Sequence, residues 1–134
     1  MAYPITDIRG IGPDTAALLK SEGIRTTIGL LRSAKTPKQR LKLAEMTRTN
    51  SERILGWVTA ADRMRVKGVG WEYSELLRAV GVKTVNELKF RNPEHLVDKM
   101  REANKRNLVR LLPKKQTVER WIESAKKLPT IIRS

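Results

Sequence analysis

The chain has 134 residues, 28 Lys plus Arg against 14 Asp plus Glu, and no cysteine. That length sets one domain of roughly 100–150 residues as the default, and the missing cysteine excludes disulfides, thiol nucleophiles and thiolate zinc sites. A net charge of +14 points to a polyanionic partner such as nucleic acid, acidic lipid or an acidic protein surface. The longest apolar runs fall far short of the ~20 residues of a membrane span, and the start, MAYPITDIRG, lacks the basic and apolar stretches of a secretion signal. The expected location is cytoplasmic.

The predicted elements are helical throughout. Ile8-Arg9-Gly10-Ile11-Gly12-Pro13 reads as a tight turn that opens a helix, and Gly23 suits the left-handed position that ends it, with Ile24 packing back on Leu19. Thr36-Pro37-x-Gln39 supplies an N-cap, a proline at the first helical position and a capping-box partner. Thr49-x-x-Glu52 reads as another capping box, ahead of an apolar stripe at Ile54, Trp57, Val58, Ala61 and Met64. A second turn follows at Val66-Lys67-Gly68-Val69-Gly70-Trp71, and Gly81 marks the next helix stop. Thr84-x-x-Glu87 and Asn92-Pro93 start two more helices, and Val118, Trp121, Ile122, Ala125 and Leu128 carry the last apolar stripe. No sustained period-two alternation occurs, so the expected fold is all-α.

These signals come twice. With a shift of 58 residues, Ile8–Leu30 falls on Val66–Leu88 without a gap, and seven pairs are identical: Gly10/Gly68, Gly12/Gly70, Leu18/Leu76, Leu19/Leu77, Gly23/Gly81, Thr26/Thr84 and Leu30/Leu88. At a shift of 64, Trp57-Val58-x-x-Ala61-x-Arg63-Met64 matches Trp121-Ile122-x-x-Ala125-x-Lys127-Leu128. The chain therefore reads as two copies of four short helices, residues 1–65 and 66–134, with a small insertion near 104–113 in the second.

Two glycines one residue apart, with a β-branched residue between them, bare backbone N–H groups where the helix dipole adds positive charge. Gly10-Ile11-Gly12 and Gly68-Val69-Gly70, each preceded by a basic residue (Arg9, Lys67), fit that description. Gly10-Ile11-Gly12-Pro13-Asp14-Thr15-Ala16-Ala17-Leu18-Leu19 resembles the turn of the helix-hairpin-helix superfamily, and Gly68-Val69-Gly70-Trp71-Glu72-Tyr73-Ser74-Glu75-Leu76-Leu77 resembles it less well because Trp71 and Tyr73 are bulky. Taken whole, the chain looks like an uncharacterised bacterial family of tandem helix-hairpin-helix domains, known only as a domain of unknown function. The resemblance implies two repeats of SAM-like, polymerase-beta N-terminal-like helical architecture packed as one compact domain. It also implies sequence-independent DNA binding, each hairpin gripping one strand's backbone across the minor groove. Asp14 and Glu72 depart from the pattern, standing where DNA-binding hairpins often carry Lys or Arg.

Positive charge is split almost evenly, +6 over residues 1–65 and +8 over 66–134. Arg32, Lys35, Lys38, Arg40 and Lys42 form one run without an acid, and Lys99, Arg101, Lys105, Arg106, Arg110, Lys114 and Lys115 form another that only Glu102 offsets. The candidate nucleic-acid-binding residues are Arg9, Gly10, Ile11, Gly12, Lys35, Lys38 and Arg40 in the first copy. In the second they are Lys67, Gly68, Val69, Gly70, Lys105 and Arg106. Trp57 and Trp121 read as core, and the sole histidine, His95, as a surface or packing residue. Trp71, standing where the first copy has Pro13, reads foremost as packing between the copies, with stacking on a base as the other reading.

No Ser/His/acid set, Walker loop or carboxylate cluster at metal spacing is visible, and nothing marks Lys20, Lys35 or Lys67 as a desolvated nucleophile. The expectation is a non-catalytic monomer without metal or cofactor that binds duplex or branched DNA through its phosphates. The alternative is an adaptor that presents its helical repeats to an acidic protein partner, with no nucleic acid bound.

Overall fold

A computed structural model describes residues 2–134, and every regular element among them is helical. A 3-10 turn at Ile5–Asp7 leads into α1 (Pro13–Ser21), α2 (Thr27–Ser33), α3 (Pro37–Met46) and α4 (Ser51–Arg63). The order then recurs as α5 (Trp71–Ala79), α6 (Val85–Leu88), α7 (Pro93–Ala103) and α8 (Lys115–Lys126). A 3-10 turn at Asn104–Arg106 opens the insertion between α7 and α8.

Local chemistry sets most of the boundaries. Thr36 completes both halves of its capping box with Gln39 at the start of α3, and the Asn92 side chain accepts from His95 N at the start of α7. The glycine stops are Schellman motifs: Gly23 (φ +81°) and Gly81 (φ +87°) are left-handed. Behind them, Ile24 N donates to Leu19 O and Val82 N to Leu77 O, both at 2.9 Å. Two expected caps differ. The α4 cap is Asn50, whose Oδ1 accepts from Arg53 N, rather than Thr49. Asparagine is the stronger N-cap, and the shift leaves the Thr49 hydroxyl buried without a partner among the described residues. At α6, the Thr84 hydroxyl accepts from Glu87 N and donates to the Glu87 carboxylate, so the reciprocal bond to the cap amide is not made.

The buried apolar side chains form two clusters, one drawn wholly from residues 5–64 and the other from 66–125. Trp57 and Trp121 are buried at equivalent places in them, as their helical stripes predict. Ile131, Ile132 and Trp71 cross over from the second half and pack on the first cluster.

Polar bonds at two places join the halves. At the end of α4, Asp62 Oδ1 pairs with Arg65 at 2.8 Å and its Oδ2 accepts from Val85 N at 2.8 Å, while Arg65 reaches Pro129 O at 2.8 Å. Arg63, 2% exposed, donates Nε to the Ser74 carbonyl and hydroxyl and a terminal nitrogen to Lys83 O, all at 2.9 Å. Separately, the C-terminal segment returns to the first half, where Arg133 N donates to Lys35 O at 2.7 Å. Burial pushes the Arg63 guanidinium down to about 10, and the nearby Glu75 carboxylate partly offsets this.

Candidate nucleic-acid interface

Each glycine turn closes on a single backbone bond, Ile11 N to Ile8 O at 2.9 Å and Val69 N to Val66 O at 3.0 Å. The side chains of Ile8, Ile11, Val66 and Val69 are buried and fix each turn to its own core. The middle amides at Ile11 and Val69 are therefore spent inside the turns and cannot also hold a phosphate, which corrects their place among the candidate donors.

The four glycines answer to different demands. A Cβ at Gly10 would lie 2.8 Å from Trp57 Nε1, so the buried indole forbids a side chain there. Gly68 adopts φ +90°, a conformation that side chains disfavour. Gly12 and Gly70 meet neither demand. Their backbones are extended (φ −81°, ψ 178° and φ −91°, ψ −163°), and an added Cβ at either finds nothing within 4 Å. They are the N-cap residues of α1 and α5 and make no side-chain cap bond. The amides of Asp14 and Thr15, and of Trp71, Glu72 and Tyr73, thus stand in the first helical turn without an intrahelical acceptor. The carboxylates of Asp14 and Glu72 are exposed beside them.

The basic side chains divide into free, paired and buried. Arg9 and Lys67 are exposed next to the turns. Arg32, Lys35, Lys38 and Lys42 are exposed, and none forms an ion pair among the described residues. Arg40 belongs to neither group: it is 5% exposed and donates to Ala34 O, Lys35 O and Arg133 O at 3.1, 2.9 and 2.8 Å. Its guanidinium fastens the C-terminal segment and is removed from the set of cations available to a ligand. In the second run, Arg101 pairs with Asp98, Lys105 with Glu102 and Lys115 with Glu94, at 3.2, 2.9 and 2.9 Å. Lys105 and Arg106 line a groove between α5 and α7, together with Glu75, Arg78 and Lys99. That groove is distinct from the one beside the second glycine turn.

A cleft of about 550 Å³ lies where the halves meet, between Asp7 and Arg9 on one side and Gly70, Trp71, Glu72 and Tyr73 on the other. The insertion closes one edge of it with Arg110 and Leu111. Sequence reasoning placed Arg110 in a basic run and gave it no role here, because nothing in the spacing tells where an irregular loop will lie. It also passed over Asp62 and Arg63. For Asp62 the signal was present: Ile54 and Val58 precede it on one helical stripe, so the apolar face turns charged just where the two copies join.

Residues 9–128 match the family model described as Domain of unknown function (DUF4332). The chain belongs to the DUF4332 family. The match covers all eight helices and both Gly-x-Gly pairs, and leaves outside it residues 1–8 and residues 129–134, the latter packing back on the first half. No curated protein and no solved structure matches the chain. Among the described residues, no helix of this DUF4332 member is long and apolar enough to cross a membrane, and no group of three His, Cys, Asp or Glu side chains is placed to hold a metal.

Proposed function

We propose that this protein binds DNA without regard to sequence, with the open backbone at Gly12 and Gly70 approaching phosphates on the two strands. The observation that carries this reading is the contrast among the four glycines. Two are required by the fold, and the two that cap the helices are not, since φ and space at both would admit a Cβ. Serine or aspartate would cap α1 and α5 better than glycine does. Leaving both starts bare suits a ligand that must come within hydrogen-bonding distance of the backbone itself. The resemblance of both turns to helix-hairpin-helix turns agrees with this, and Arg9, Lys67, Arg32, Lys35 and Lys38 supply the attracting field. The exposed Asp14 and Glu72 oppose a phosphate and favour a second reading, in which the same faces meet a protein partner.

The test is a salt titration of binding to fluorescent duplex, single-stranded and junction DNA, with a Gly12→Val/Gly70→Val variant alongside. Both backbones are extended and a Cβ meets nothing within 4 Å, so the variant is expected to fold, which its circular dichroism checks. If about six phosphates are neutralised, log K falls with log salt at a slope near −5 in the parent chain. The variant is expected to bind at least about tenfold more weakly, the loss of two charge-assisted bonds. A folded variant with unchanged affinity refutes the backbone contact, and salt-insensitive association with a protein after nuclease treatment selects the adaptor.

A further inference from the structure

The cleft between the halves is chemically unlike either basic run. Its walls carry two cations, Arg9 and Arg110, and two carboxylates, Asp7 and Glu72, with Trp71 and Tyr73 between them. A site for phosphate alone has no use for a pair of acids, and a site for an acidic peptide has none either. Balanced donors and acceptors beside aromatic rings match the edge and face of a nucleobase. Carboxylates accept from its exocyclic amino groups, guanidinium groups donate to its ring nitrogens and carbonyls, and an aromatic ring stacks on its face. The cleft, about 550 Å³, is open to solvent, as a base swung out of a duplex would need.

Both rings are already immobilised. Trp71 packs on the first core, Tyr73 packs on the second at 5.1 Å from the Trp121 ring, and the Tyr73 hydroxyl donates to Leu111 O at 2.9 Å. That last bond ties the backbone of the insertion to the cleft, next to the exposed Arg110. Platforms fixed in advance lose little side-chain entropy when a ligand arrives. The first copy has Pro13 where the second has Trp71 and no counterpart of the insertion, so the cleft is a feature of the joined molecule and not of either copy.

We infer that this cleft receives one unpaired base of a DNA strand, giving the protein a preference for duplexes with an extrahelical nucleotide over fully paired ones. The inference rests on the proposed DNA binding and adds the form of DNA preferred. The base enters the cleft while the flanking backbone lies along the glycine turns and the free cations.

The experiment compares a paired duplex, the same duplex with a single-adenosine bulge, one with an abasic bulge, and free adenosine monophosphate. Binding is followed by anisotropy and by tryptophan fluorescence, since of the three tryptophans Trp71 alone is not buried. The parent chain is expected to favour the adenosine bulge over both the paired and the abasic duplex by about tenfold, with quenching of Trp71. Arg110→Ala, on an exposed loop, is expected to abolish the preference while paired-duplex affinity changes less than threefold, and Trp71→Leu to abolish the preference whatever it does to paired-duplex affinity. Equal affinity for paired and bulged duplexes overturns the inference and leaves the DNA-binding reading standing, whereas no affinity for any duplex removes both. A bulge preference that survives Arg110→Ala and Trp71→Leu places the base elsewhere and overturns the assignment. Adenosine monophosphate binding as tightly as the bulge overturns it too, because the site is then one for free nucleotides.

Discussion

Arg63 should hold the two halves in register, and replacing it with methionine tests that directly. Methionine keeps the aliphatic stem and removes two donors: Nε, shared between the Ser74 carbonyl and hydroxyl, and the terminal nitrogen on the Lys83 carbonyl, all at 2.9 Å. Glu75 also loses a weaker partner at 3.7 Å, but keeps Arg78 at 2.9 Å and is itself partly exposed. Bonds to a charged donor are worth about 1.5–3 kcal/mol each. Relief of the guanidinium's desolvation, the same burial that pushes it down to about 10, returns part of that. The net loss is about 3 kcal/mol, or roughly 10–15 °C in Tm for a chain of this size. Since each core is drawn from one half, the loss should also split the unfolding transition. Calorimetry of the parent, Arg63→Met and Arg78→Met is the assay. Arg78 bonds the same Glu75 from an exposed position, so its variant should stay within about 0.5 kcal/mol of the parent. An Arg63→Met protein that unfolds in one step within about 4 °C of the parent refutes the role given to the joint.

The glycines give a graded series: Gly10→Ala and Gly68→Ala should each cost about 1–3 kcal/mol, the first through Trp57 and the second through its φ, while Gly12→Ala and Gly70→Ala stay within about 0.5 kcal/mol. Equal losses at all four by chemical denaturation would sink the distinction. Lys35→Glu/Lys38→Glu should lower the salt slope of DNA binding by about two without loss of Tm, whereas Arg40→Gln should lower Tm and leave the slope alone. The opposite pattern would return Arg40 to the interface. Hydrogen bonds from Lys115 and Lys126 hold the Glu94 and Glu123 carboxyls below the ordinary 4.5. Their support is therefore complete above pH 4.5 and is lost as pH falls through the lowered folded values. Glu94→Gln/Glu123→Gln should flatten that part of the Tm profile, and an unchanged acid slope would show that these exposed pairs contribute nothing.

What was legible in the sequence is what short-range chemistry decides. Thr36-Pro37-x-Gln39 fixes its helix start with side chains at most three residues apart, and Gly23 and Gly81 fix their stops through a backbone that only glycine adopts easily. The two tryptophan stripes announced their cores because helical spacing is local. Legibility failed where the deciding partner was distant. Arg40 looked like one more cation in a basic run, but its third acceptor is Arg133 O, 93 residues away. Lys105 and Arg106 looked like part of one basic patch that binds nucleic acid with the second glycine turn's residues, yet they line the α5–α7 groove, apart from that turn. The glycine pairs looked alike in both copies, although Gly10 is set by contact with an indole and Gly68 by its own φ. Trp71 was readable as the piece that packs between copies, since a large apolar side chain had replaced a proline at the seam.

The two glycine turns can act together only if their separation is fixed, and the residues that fix it lie away from both. Within each half, the turn is clamped to its core by two buried aliphatic side chains and faced by a tryptophan from the fourth helix. Between halves, the chain crosses once, at Met64–Val66, and a single crossing would leave a hinge. The Asp62–Arg65–Pro129 and Arg63–Ser74–Lys83 bonds stiffen that crossing. Arg133 and Ile131–Ile132 make a second attachment, so the halves are joined at both ends of the second one. Two weak phosphate contacts held at a fixed spacing act as one stronger site, because the second forms at high effective concentration once the first is made. On the proposed reading, buried residues such as Arg40 and Arg63, which touch no ligand, therefore govern affinity as much as the exposed cations do.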